Sequence, residues 1–208
     1  MITQCIMPGS PCDTKAWKHT EDKQDKGNPL PDGTVPDGPY QGRPLAEAAL
    51  DIISNIVGPS VQETVAQIHA QAPNARIVLM GYPPLLSNDA LCLSRVPGLG
   101  ISPDEAQWLN GVAHYLAQVM FEAAGSERRQ GVDVGYVNPQ AFFHGKAICG
   151  DPETIHGIVT DLTTSDIPNI DWPFFQFGLS NQAFHPKIAG ARLYADALEY
   201  ALEGWPKS

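Results

Sequence analysis

The residues whose types and spacing best suit chemistry surround one histidine, in Ser180-Asn181-Gln182-Ala183-Phe184-His185-Pro186-Lys187-Ile188-Ala189-Gly190. An imidazole changes charge nearest neutrality, so it can take a proton from a hydroxyl nucleophile and return it to a leaving group. A capping or partly buried histidine is the plain alternative. His144 and His156 fall in the long segment before it, with no Cys or Asp spacing that suggests a metal, and read as polar residues lining a cleft. His19, His69 and His114 sit on surface or helical positions and carry no signal. Among the serines, Ser60 and Ser102 look like helix caps, Ser10 lies between two cysteines, and Ser180 is too close to His185 to pair with it. Asp171 is a further candidate to orient the ring, with a solvated loop aspartate as the alternative. The aromatic run Trp172-Pro173-Phe174-Phe175-Gln176-Phe177 suits packing over a core, or an acyl pocket beside His185.

The elements that must hold these groups follow from periodicity. Pro186 suits the first helical position, which places His185 at a helix N-terminus. Ile188, Ala191, Ala195, Leu198 and Leu202 then form an apolar stripe, and Gly204 with Pro206 closes the helix. Upstream, Leu45 to Val57 reads helical through Leu45, Ala49, Ile52, Ile53 and Ile56. Gly58-Pro59-Ser60 breaks it, and a second helix runs from about Ser60 to Gln71 through Val61, Val65 and Ile68. The short apolar run Ile77–Met80, ended by Gly81 and Pro83, reads as a buried parallel strand. Ser102, Pro103 and Glu105 spell a capping box opening the longest helix, with Leu109, Val112, Leu116, Val119 and Met120 inward. Val132 to Val137 is a second strand. Residues 13–43 are a polar, turn-rich surface insertion, and 138–184 form a mostly irregular stretch of the kind that carries functional groups. This order predicts an α/β fold, a parallel sheet flanked by helices, in a single domain over 1–208.

A net charge of −10 argues against nucleic acid or an anionic membrane as partner. No apolar run is long enough to span a bilayer, and Met1-Ile2-Thr3-Gln4 does not read as a signal peptide. Four cysteines admit three pairings. Cys5 and Cys12 bracket a turn-rich loop that can bring them together, so Cys5–Cys12 with Cys92–Cys149 is preferred. Four reduced thiols in a cytosolic protein is the alternative.

Several pieces in order resemble the SGNH (GDSL-type) hydrolases. They are the Cys-loop-Cys start, Ala-Pro-Asn-Ala-Arg before Ile-Val-Leu-Met-Gly-Tyr-Pro, and a helix carrying Trp108-Leu109-Asn110. Val-Asp-Val-Gly-Tyr-Val, Ile155-His156-Gly157 and the closing Phe184-His185-Pro186 follow. The resemblance implies a flavodoxin-like three-layer sandwich and acyl transfer from an ester to water. In it His185 is the general base for a serine, with the carbonyl three residues upstream, that of Gln182, as orienter in place of the usual aspartate. Trp172, Phe174 and Phe184 would then bind substrate. The order of a short and then a long bridge in the secreted, Cys-rich branch supports the preferred disulfides and an extracellular protein. The substrate would be a small ester, a lipid or an acylated sugar, with no metal or organic cofactor.

This sequence departs from the family pattern in having no Gly-Asp-Ser block and no Gly-x-Asn-Asp block; Ser87-Asn88-Asp89 lacks the glycine. The nucleophile and the oxyanion asparagine are therefore missing, and the chain resembles a C-terminal portion, with the N-terminal strands and N-terminal half of the enzyme expected elsewhere. Inactivity alone is the expectation. A non-catalytic secreted binding module and a degenerate remnant are the alternative readings.

Overall fold

The computed structural model describes Thr14 and residues 43–87, 101–157, 159 and 182–205, together with the backbone of 170–172 and 175–177. Cys5, Cys12, Cys92, Phe174, Ser10, Ser180 and nearly all of the 13–43 insertion lie outside the described residues.

The first helical stretch comprises α1 (Leu45–Ile52), a π-helical turn (Ile53–Val57) and α2 (Gly58–Gln71). Gly58-Pro59 was expected to end a helix, yet the backbone stays helical through it. The reason is the wider turn: the Gly58 N–H reaches back five residues to the Ile53 carbonyl, and Pro59 enters as an early residue of α2, where its missing N–H costs least. Gly58 is there for space, since a Cβ would lie 2.9 Å from Val119 Cγ1. Ser60 consequently lies inside α2, where its carbonyl accepts from the Thr64 hydroxyl at 2.7 Å, and is not a cap.

β1 (Ile77–Met80) pairs in parallel with β2 (Val134–Val137), Ile77 opposite Val134 and Met80 opposite Val137. Between them runs α3 (Pro103–Arg129), begun by the expected capping box: the Ser102 hydroxyl accepts the Glu105 N–H at 3.2 Å, and the Glu105 carboxylate accepts the Ser102 N–H at 2.8 Å. The last helix is α4 (Ile188–Glu203). Successive residues of β2 point to opposite faces. Val134 packs with Val65 of α2 and Ala124 of α3, whereas Gly135 meets the Trp205 indole at the end of α4. Two helical layers therefore sandwich the parallel sheet, the α/β architecture expected.

Two apolar faces differ from expectation. On α4 the buried residues are Gly190 and Ala197, and Ile188 is 78% exposed with Leu202 at 42%. The smallest side chains were selected for contact, because a helix packed closely on backbone has no room for branched ones. Ile56 and Ile68, read as inward, are likewise exposed. Beside them β1 is only partly covered: Ile77 is buried but Val78, Leu79 and Met80 are half-exposed. The ladder to β2 uses the Ile77 and Gly81 N–H groups, so by alternation Val78 and Met80 point their peptide groups to the far edge.

The stretch after β2 was expected to be mostly irregular. It contains an antiparallel hairpin, β3 (Ile170–Trp172) with β4 (Phe175–Phe177), Asp171 opposite Gln176. Its aromatic and β-branched residues, Ile170, Trp172, Phe175 and Phe177, favour strands.

Candidate active site

The site lies beyond the carboxyl ends of β1 and β2, where open α/β sheets place their ligand groups. Past the strands the two chains stay together: Leu86 bridges Ile148 in parallel, with the Ser87 N–H on the Ile148 carbonyl at 2.8 Å. Asn110 of α3 secures this junction. Its Oδ1 accepts the Leu86 N–H at 3.1 Å and its Nδ2 donates to the Leu86 carbonyl at 2.8 Å. Beneath it is a core cluster with Leu86, Ile101, Leu109, Phe143, Ile148 and Ile155 buried, against which Phe184 and Tyr194 pack.

His185 follows Ala183 and Phe184 of that cluster and is exposed to solvent. Helix α4 begins at Ile188 with Lys187 as cap, so the expectation of Pro186 at the first helical position is corrected. Pro186 is instead the partner of Ile155 in an antiparallel bridge. The His156 N–H donates to the His185 carbonyl at 2.9 Å, and the Phe184 N–H donates to the His156 carbonyl at 2.9 Å. The Lys187 N–H reaches the Thr154 carbonyl at 2.8 Å. A strand-like clasp, residues 154–156, thus grips the histidine segment on both sides.

The ring itself is oriented by a backbone carbonyl. His185 Nδ1 lies 3.1 Å from the Ala183 oxygen. A carbonyl only accepts, so in this bond Nδ1 carries the proton. The expected orienter was the Gln182 carbonyl; that oxygen takes the His185 backbone N–H at 3.1 Å instead. The displacement follows from Phe184, whose φ of +65° puts a bulky side chain in the left-handed region and tightens the turn before the histidine.

Other expected site residues fall less directly. Phe184 is half-buried against the core cluster, and Trp172 lies in β3. His156 serves through its backbone, His144 is exposed, and His114 Nδ1 meets Gln140 Oε1 at 3.3 Å on the surface. Among the described serines none bonds His185: Ser54 pairs with the Tyr115 hydroxyl at 2.6 Å, Ser102 caps α3, and the Ser87 hydroxyl is buried without a partner. Cys149 is disulfide-bonded, its partner outside the described residues. Among the described residues no three His, Cys, Asp or Glu gather as a metal site requires. No described helix is long and apolar enough to cross a membrane.

Sequence reasoning missed four contributors: Ala183, Glu153, Thr154 and Lys187. Thr154 is buried, with both its N–H (2.8 Å) and its hydroxyl (2.6 Å) on the Lys146 carbonyl. Lys187 Nζ meets Glu153 Oε1 at 2.6 Å. Nearby, burial pushes the Tyr194 phenol up to about 12, with Tyr82 and Tyr136 adding to the effect.

No family model matches the sequence, and no curated protein does. Solved structures do. A phospholipase A1 from Streptomyces albidoflavus NA297 is similar at 21% identity with a TM-score of 0.54, covering 74% of this chain and 54% of that one. An extracellular lipase from Streptomyces rimosus is similar at 17% identity and TM-score 0.53, covering 74% and 55%. What they share is the fold. This chain shares the α/β fold of these two structures, in agreement with the architecture expected from its sequence. It spans about half the length of either neighbour.

Proposed function

We propose that His185 is the general base of an SGNH-type serine ester hydrolase. The observation that carries the reading is the ring's geometry: an exposed histidine beyond the carboxyl end of a parallel sheet, with Nδ1 held on the Ala183 carbonyl and Nε2 left as the nitrogen for a nucleophile. In the reaction a serine hydroxyl attacks the ester carbonyl while Nε2 takes its proton. The tetrahedral intermediate expels the alcohol, which receives that proton; water, deprotonated by the same nitrogen, then releases the acid. The Ala183 carbonyl holds the tautomer but, being neutral, offsets the imidazolium charge less than a carboxylate would.

The nucleophile and the oxyanion donors come from polypeptide outside these 208 residues, because the sequence has neither Gly-Asp-Ser nor Gly-x-Asn-Asp. On this reading the whole chain is one partial hydrolase domain. The substrates are lipid or acylated-sugar esters, the aromatic residues Trp172, Phe174 and Phe184 form the acyl pocket, and the protein works outside the cell. Cys5–Cys12 and Cys92–Cys149 are its disulfides. The likeness of fold to a phospholipase and an extracellular lipase supports the ester and the location.

The test is hydrolysis of p-nitrophenyl esters. The purified chain alone shows no turnover that depends on His185. The chain joined to the polypeptide encoded upstream of it, carrying the two motifs, hydrolyses the ester, and His185→Ala lowers that rate by about 10²–10⁴-fold. Full activity in the joined His185→Ala protein overturns the assignment of the base, and His185-dependent turnover by the chain alone overturns the placing of the nucleophile outside it.

A further inference from the structure

We propose that Glu153 is a positioning residue for His185, acting through a carboxylate bound at both ends. This rests on the reading of His185 as the base. Glu153 Oε2 accepts the Cys149 N–H at 3.1 Å, and Oε1 accepts the Lys187 ammonium at 2.6 Å. One side chain therefore joins the turn after β2, the clasp and the residue two positions beyond the histidine.

The remaining anchors of that clasp are backbone bonds and the Thr154 hydroxyl on the Lys146 carbonyl, and they do not by themselves fix the ring. The Phe184 N–H and the His185 carbonyl are held by His156, yet the ring depends on the carbonyl of Ala183, on the far side of a residue in the left-handed region. Such a backbone persists only when its surroundings over-determine it. Residues 182–187 are bounded by that turn at one end and by Lys187 at the other. The ion pair draws Lys187 toward the clasp while the Lys187 N–H bonds the Thr154 carbonyl. Gly190 permits the close approach: a Cβ there would stand 2.4 Å from the Thr154 oxygen.

The exposure of the pair is what makes the role one of position. Lys187 and Glu153 side chains are 34% and 31% exposed, and an ion pair so open to solvent adds little to global stability. Its removal should loosen the segment without unfolding the protein, and the loosening is read at the ring, as the share of imidazole that keeps its proton on Nδ1.

The experiment is a long-range proton–nitrogen correlation spectrum of the labelled chain, which distinguishes the Nδ1–H from the Nε2–H form of the His185 ring. The wild type shows the Nδ1–H form in excess. Glu153→Ala and Lys187→Met each lower the ratio of Nδ1–H to Nε2–H forms by about fivefold, the worth of one ordinary hydrogen bond. Lys187→Arg keeps the wild-type ratio. An unchanged ratio in both disruptive variants overturns the proposal, since the backbone bonds would then suffice. Loss of the fold in both, seen by circular dichroism, overturns it too, because the pair would be a stability element. None of these readings requires turnover, so failure of the hydrolase assignment registers separately, in the ester assay.

Discussion

The contact between Gly190 and the clasp gives the most discriminating test of how the site is built. In Gly190→Ala the new methyl would lie 2.4 Å from the Thr154 carbonyl oxygen, 3.1 Å from Pro186 Cβ and 3.4 Å from Phe143 Cε1. The nearest obstacle is backbone, and its oxygen already accepts the Lys187 N–H. Relief therefore moves the clasp, the helix, or both. Overpacking of this kind costs about 1–3 kcal/mol, and weakening the Lys187–Thr154 bond adds about 1 kcal/mol. Replacing glycine with alanine in a helix returns at most about 1 kcal/mol. The net loss is about 2 kcal/mol, or about 4–8 °C in Tm for a chain of this size. Gly111, in the interior of α3, is the internal control: nothing lies within 4 Å of its hypothetical Cβ. Gly111→Ala should gain about 0.8–1 kcal/mol, raising Tm by about 2–4 °C. Thermal unfolding of the two variants side by side decides the matter. A Gly190→Ala protein as stable as Gly111→Ala would refute the close packing of α4 on the clasp.

Asn110→Ala removes both bonds to the Leu86 peptide and leaves its N–H and carbonyl without partners; a loss of about 2–3 kcal/mol is expected in urea unfolding. Stability should also fall in alkali. Burial pushes both Tyr136 and Tyr194 up to about 12 from an ordinary 10, so the fold favours the neutral phenols. Their contribution is complete below pH 10 and disappears as pH rises through 12. Each supplies about 1–2 kcal/mol once its partial exposure is allowed for, and Tyr136→Phe should flatten the profile measured from pH 9 to 12.

Local chemistry carried much of the architecture. Ser102, Pro103 and Glu105 mark the start of α3 because the caps satisfy groups that the helix cannot. Ile77–Met80 and Val134–Val137 show their strand character through apolar runs and β-branched residues. What escaped was set by packing. Gly58-Pro59 is a helix stop in local terms, but α2 and α3 pack where only a glycine fits against Val119, and a wider turn absorbs the proline. The inward face of α4 escaped because hydrophobicity points to Ile188 and Leu202, whereas close approach selects Gly190 and Ala197.

At the site, His185 was legible as a histidine ahead of a helix. Its orienter was not, since no residue type announces a phenylalanine at φ +65°, and that one torsion moves the ring from the Gln182 to the Ala183 carbonyl. Glu153 and Lys187 read as ordinary surface charges, 34 positions apart, until the fold joins them.

Strand β1, only partly covered by the described residues, bears on how this protein should behave when concentrated. Its four residues, Ile-Val-Leu-Met, include no charge or proline to deter a neighbouring chain, and a shallow apolar trough lined by Ile56, Val57, Val61 and Leu79 runs alongside. Natural sheets blunt such margins with lysine or a kink. Among the described residues only β2 pairs with β1, and a margin of this kind favours association between chains, so concentration will matter to any assay of this protein.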